Sequence, residues 1–358
     1  MAYYGVGGQN GGFPYGRGGG FDPYGNGYGR YDPAEYQRKK AADKSVRIKI
    51  FCTSAVVCSG VCFYVLLSNL YSRIITHFPA LYDRYVGPTP FGSICDMLYS
   101  FVCVGLPFLL IFLFFKFFDG DSADIRFGGA YDGKNAVLLV LAGLGMCFIG
   151  NIIDSVIINF FGGLGIEFYS YREAAAGVDV PSGITDFVVS AVRTAVVPAL
   201  IEEFAFRGVV LGALRKYGDG FAIAMSALLF GLMHGNFTQV PFAIIAGTAL
   251  GFICVVTGSI WPSVILHFCN NFISVVYGVA VAAAGTRSVL VSSVITYGII
   301  FIGAAAFVVY LIRNKNGLRL RPGRYAATPG KPLAFILSPT FLLGAGALIQ
   351  NMIDDIVV

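Results

Sequence analysis

Charge is scarce in this chain. Of 358 residues only 13% are Asp, Glu, Lys or Arg, about half the share usual in soluble domains. A soluble enzyme is excluded on that arithmetic. The net charge of +5 is small and gathers in two clusters rather than along a stripe. A face for nucleic acid, which needs such a stripe, is excluded too. None of the eight cysteines forms a C-x-x-C pair, and all eight lie in or beside apolar blocks. They read as small apolar residues packed between helices, not as a disulfide framework. The sequence contains no H-E-x-x-H, so two zinc-binding histidines on one helix are missing. No internal repeat stands out.

Long apolar runs are abundant instead. Hydrophobic residues make up 56% of the chain. Blocks long enough to cross a bilayer recur from about residue 50 to the C-terminus. They fall at 50–70, 95–115, 136–161, 184–213, 219–235, 238–257, 261–281 and 289–312. A weaker ninth, at 333–353, contains Ser338 and Pro339 and several glycines, so it reads as a span or as a re-entrant or interfacial segment. The fold class expected is an all-α polytopic membrane bundle of eight transmembrane helices, or nine with the last segment.

Three regions follow. Residues 1–49 read as a disordered Gly/Tyr-rich tail ending in a basic stretch, residues 50–312 as the eight-helix domain, and residues 313–358 as a basic loop with the last hydrophobic segment. About 45 mostly polar residues precede the first apolar block, so no cleavable signal peptide is expected. The first basic cluster holds Arg38, Lys39, Lys40, Lys44, Arg47 and Lys49. The second holds Arg313, Lys315, Arg319, Arg321, Arg324 and Lys331. The positive-inside rule puts both on the cytoplasmic side, which the eight intervening spans allow. Lys116, Arg126, Lys134, Arg215 and Lys216 fall on the same side, and Arg73, Arg84, Arg172 and Arg287 on the other. The expected location is the cell membrane, multi-pass, with a cytoplasmic N-terminus.

Ionisable groups inside apolar spans are costly and are functional candidates by default. In the fourth span Glu202 and Glu203 are adjacent, and Arg207 follows. Glu203 and Arg207 are four apart with the carboxylate first, the favourable order for a pair. Glu202 points about 100° away on a helix of 3.6 residues per turn, which leaves it free to act as a base. In the fifth span Phe230 and His234 share a face, and the polar run Asn236, Thr238, Gln239 follows. That run is either the mouth of a cavity or an outer loop. In the seventh, His267 and Asn271 are four apart, and Ser263 and Ser274 extend the face. An Asn amide there can donate to a developing oxyanion, or it can belong to a polar packing seam. Asn151, Asp154 and Arg193 either line a cavity or pair with each other.

Taken together, E-E-x-x-x-R, F-x-x-x-H and H-x-x-x-N on three spans resemble the CPBP family of intramembrane peptidases. That family includes the type II CAAX prenyl endopeptidases and the bacteriocin-processing or Abi-like proteins. The resemblance covers about residues 185–280. It implies a peptidase in which Glu202 activates water with help from His234, while His267 and Asn271 stabilise the oxyanion. Glu203 and Arg207 would be supporting residues. The substrate would be a membrane-attached peptide or protein. The cofactor stays open: Glu202, His234 and His267 can make a three-ligand zinc site, or Glu202 and His234 can polarise water with no metal. The competing class is a non-catalytic membrane protein, a transporter or assembly partner, using the polar cluster for binding or packing.

The depths of the three residues differ. At about 1.5 Å per residue, Glu202, His267 and His234 lie roughly 16, 10 and 22 Å from the basic ends of their spans. The cavity they share is expected to open toward the cytoplasmic side.

Overall fold

The computed structural model describes residues 33–87, 90–118, 131–169, 181, 183–315, 320–323 and 328–357. Most of the Gly/Tyr tail, together with Arg126, Arg172, Arg319 and Arg324, lies outside the described residues. Residues 1–42 are one unit and residues 43–358 another. The site lies in the second.

The fold is an all-α membrane bundle. Its helices are α1 (Pro33–His77), α2 (Pro79–Val86), α3 (Phe91–Phe118), α4 (Gly133–Gly163), α5 (Ile184–Tyr217), α6 (Asp219–Leu232), α7 (Val240–Thr257), α8 (Trp261–Ala284), α9 (Ser288–Arg313), α10 (Lys331–Ile336) and α11 (Pro339–Asp354). Among the described residues six helical runs are long and apolar enough to cross a membrane. The count differs from the eight expected for two reasons. The count of six takes α8 and α9, two helices joined by the 3-10 turn Gly285–Arg287 where Gly285 has a φ of 53°, as one run, and leaves out α6, which is too short to qualify.

The tail boundary also moves. Residues 33–49 belong to α1, not to a disordered segment. Ala34, Ala41 and Ala42 with the Lys and Arg residues between them are good helix formers, so a basic stretch need not be irregular.

The weak last segment is broken where its sequence breaks. Ser338 ends the short α10 and caps α11, its Oγ accepting from the Phe341 N–H, with Pro339 in the first turn. The same hydroxyl pairs with Ser54 of α1 at 2.8 Å. At the far end of α11, β2 (Ile356–Val357) pairs antiparallel with β1 (Glu167–Phe168), placing Glu167 opposite Val357.

Packing is tightest where side chains are absent. A Cβ on Gly303 of α9 would sit 2.7 Å from the Gly145 Cα of α4. Small residues let helices approach closely where lipid gives no hydrophobic drive. The outer faces carry exposed apolar side chains such as Phe117, Leu290 and Phe301, as a lipid-facing wall requires.

Antiparallel packing orders the two ends of the bundle. Asn135 at the start of α4 bonds Asn314 just after α9, and Arg313 reaches Asn135. Lys331 donates to the Tyr217 carbonyl, Asp219 accepts from Arg215 and from the Arg321 N–H, and Thr328 bonds Asp43. The basic loops therefore gather at one end. Gly218 can make the sharp α5–α6 turn there because its φ of 122° suits glycine alone.

Candidate active site

The fourth apolar span folds unusually. α5 contains two π-helical stretches, Val192–Val196 and Phe204–Leu211, on either side of a regular turn, Val197–Glu203. Pro198 explains part of this. It has no N–H for the carbonyl four residues back, Thr194. That carbonyl accepts instead from Asn271 Nδ2 of α8 at 3.1 Å. Wider π turns are common where helices carry function, and here they bracket Glu202 and Glu203.

The two glutamates have separate surroundings, as their spacing implies. Glu203 is fully buried, with 0% exposure. Its Oε1 lies 3.0 Å from Arg207 Nη1 and accepts from His267 Nδ1 at 2.9 Å. Arg207 also donates to the Gly247 carbonyl and lies 4.5 Å from the centre of the Phe230 ring. Glu202 has a 26% exposed side chain and faces a cavity, with Oε2 3.8 Å from His267 Nε2.

Hydrogen bonding fixes both imidazoles. A carbonyl and a carboxylate can only accept, so each Nδ1 must carry its hydrogen. His234 Nδ1 donates to the Phe230 carbonyl at 2.9 Å, and His267 Nδ1 donates to Glu203. Both rings pack on the Phe230 ring, at centroid distances of 5.0 and 5.9 Å. Each Nε2 is left as the working atom.

These groups line one cavity of about 220 Å³. Glu202, His234, His267 and Asn271, on three different helices or the turns that follow them, all contribute to its wall. All three residues reach this one cavity despite their different depths along their helices, and for His267 the reason is visible because α8 does not start level with α4. Leu266, near the start of α8, packs at Gly143, well inside α4.

Some expectations fail. The cavity wall runs from Glu202 to Pro198 and Thr194, from His267 to Asn271, and along Ala246 and Phe242. All of these steps lead away from the basic end. On the basic side Phe206, Leu211, Leu214 and Tyr217 are buried and close the bundle. Most of the wall thus extends away from the basic loops, toward which the cavity was expected to open. The order of residues along each helix was readable, but which side their neighbours would fill was not.

The three-ligand metal set does not fit. Among the described residues no three His, Cys, Asp or Glu side chains are grouped to hold an ion, Glu202, His234 and His267 included. Asn151, Asp154 and Arg193 do not pair with one another. Arg193 pairs with Asp96 at 3.2 Å, Asp154 accepts from the Phe242 N–H at the start of α7, and Asn151 is exposed. Ser263 and Ser274 bond backbone carbonyls on their own helix. Asn236 accepts from Thr238 and from the Gln239 N–H, a local turn that opens α7.

Sequence reasoning missed Asn270. Its amide donates to Asn271 Oδ1 at 3.1 Å and it too lines the cavity. The doublet Asn270–Asn271 inside an apolar span was the available signal. Cys147 and Thr194, also in the wall, carry no such signal.

No curated protein and no solved structure matches the chain. A family model does: residues 184–273, which hold all the motif residues of this cavity, match the type II CAAX prenyl endopeptidase Rce1-like family.

Proposed function

We propose that the chain is an intramembrane endopeptidase. It hydrolyses a peptide bond in a membrane-attached peptide or protein, using water activated by Glu202 and His234. The observation that supports this most is the division between the acids: one is buried and doubly paired, the other meets no Lys or Arg among the described residues and faces a cavity with two imidazoles.

The chemistry follows from the donors and acceptors. Glu202 takes a proton from water while His234 Nε2 accepts the water's second hydrogen. The oxygen attacks the scissile carbonyl carbon. His267 presents Nε2–H to the resulting oxyanion when protonated, and the spare N–H of Asn271 joins it. Glu202 then gives its proton to the amide nitrogen as the C–N bond breaks. A carboxylic acid and an amine leave. Glu203 and Arg207 hold His267 and do not touch substrate.

The substrate class implied by the family is a membrane-attached, CAAX-type peptide or protein, and lipid surrounds the bundle. Comparison of peptides from membranes of wild-type cells and Glu202→Gln cells tests the reading. Loss of a defined product, with normal amounts of the variant in the membrane, supports it. An unchanged peptide profile refutes it.

A further inference from the structure

The segment that matches the family model does not hold the active-site turn alone. His234 sits just beyond the end of α6, where the last carbonyls of a helix lack partners within it. The carbonyl immediately before it, that of Met233, accepts from Tyr64 Oη of α1 at 3.2 Å. Tyr64 Oη in turn accepts from Tyr99 Oη of α3 at 3.0 Å. Tyr99 has spent its only hydrogen on that bond, so Ser68 Oγ, 2.9 Å away, must donate to it. The result is one directional chain: Ser68 to Tyr99 to Tyr64 to the Met233 carbonyl. Chains of this kind strengthen each member. The rings support the same geometry, with Tyr64 and Tyr71 both edge-on to Tyr99 at 6.4 and 5.2 Å.

We infer that Tyr64 is a positioning residue for the hydrolytic reaction, holding through the Met233 carbonyl the turn that aims His234 at water, with Tyr99 and Ser68 ordering its hydroxyl. This rests on the peptidase reading for its catalytic consequence, but not for its structural one. The ring of His234 is fixed at one point by Phe230. The backbone that carries it is held within the turn by the His234 N–H to Gly231 and the Gly235 N–H to Leu232, and is tied to the neighbouring helix α1 by Tyr64. Without that tie to α1 the turn can rock as a unit, and Nε2 leaves the water it shares with Glu202. The consequence falls on turnover rather than on substrate binding, because Tyr64 does not line the cavity.

Tyr64→Phe removes one oxygen and keeps the ring. Two readouts apply to the full chain in detergent. The first is the 15N spectrum of its three histidines, with His234 assigned by His234→Gln. The expected result is a shift of the His234 ring signals away from a single Nδ1–H tautomer, with the His267 signals in place. This readout needs no substrate, so it stands even if the chain cleaves nothing. The second is cleavage of the peptide whose product is lost in Glu202→Gln membranes. The expected result is kcat lower by on the order of tenfold, with KM within about twofold, as for a misplaced reacting group. Unmoved His234 signals, or an unchanged kcat, overturn the inference. If Tyr64→Phe does not accumulate, Tyr99→Phe carries the same two readouts. It leaves the bond to Met233 in place but removes the donor behind it, so both effects are expected in the same direction and smaller.

Discussion

Replacing each of the two adjacent glutamates by glutamine makes the same chemical change one residue apart, with opposite expected results. Glu203 Oε1 lies 3.0 Å from Arg207 and accepts from His267, all with little or no solvent exposure. Its Oε2 has no hydrogen-bond partner among the described residues, so the pairing rests on one oxygen. In Glu203→Gln the Arg207 guanidinium stays buried without a counter-charge. Breaking a buried pair from one side costs about 3–5 kcal/mol. The Gly247 carbonyl and the Phe230 ring still hold Arg207, which places the cost toward the lower end of that range. Glu202 carries no such burden: it is a quarter exposed to a cavity and makes no contact with a cation other than the titratable His267. Glu202→Gln should leave stability within about 0.5 kcal/mol, as for substitutions away from packed features, yet lower turnover by about 10²–10⁴-fold as a lost general base. Denaturant titration of both variants in detergent, beside peptide cleavage in the same micelles, measures the two effects. A Glu203→Gln protein as stable as wild type would refute the buried-pair reasoning. So would a Glu202→Gln protein that unfolds early and retains its turnover when folded.

Other outcomes follow from the same contacts. Asn271→Ala should reduce kcat by about 10²–10³-fold if its free N–H serves the oxyanion, and steady-state kinetics would show a loss confined to KM if it does not. Pro198→Ala gives Thr194 a new backbone donor that competes with Asn271, so turnover should fall about tenfold with the protein still folded; equal turnover would mean the proline does not set the Asn271 contact. The direction of the cavity can be read by labelling: in a chain stripped of native cysteines, Ala246→Cys and Lys216→Cys should react with membrane-impermeant maleimide from opposite sides of the membrane, and labelling of both from one side would contradict the orientation. Because Glu202, His234 and His267 are not grouped around an ion site, a chelator should leave cleavage unchanged, whereas loss restored by zinc would show that the three rearrange.

Much of the site was legible because helical spacing is local. The i, i+4 rule separates Glu203 from Glu202, and the observed 3.0 Å contact to Arg207 follows it. The same rule puts His234 beside the Phe230 carbonyl. The partners that depend on tertiary packing were not legible. The bond from His267 to Glu203 joins two helices, and spacing within either says nothing about it. The same holds for Arg193, whose partner Asp96 lies far away in sequence. π turns were invisible as well, because hydropathy looks alike at 3.6 and 4.4 residues per turn. Pro198 marked their place only in hindsight. The form of the connection between the seventh and eighth apolar blocks was not legible either: it is a single 3-10 turn, Gly285–Arg287, where Gly285 takes a φ of 53°.

The most direct measurement is an experimental structure that resolves water in the cavity. One water within about 2.6–3.2 Å of both the Glu202 carboxylate and His234 Nε2, with His267 Nε2 and the Asn271 amide facing the carbon side, is the expected result. A cavity with no shared water, or a Glu202 side chain turned out toward lipid, would contradict the hydrolytic centre outright.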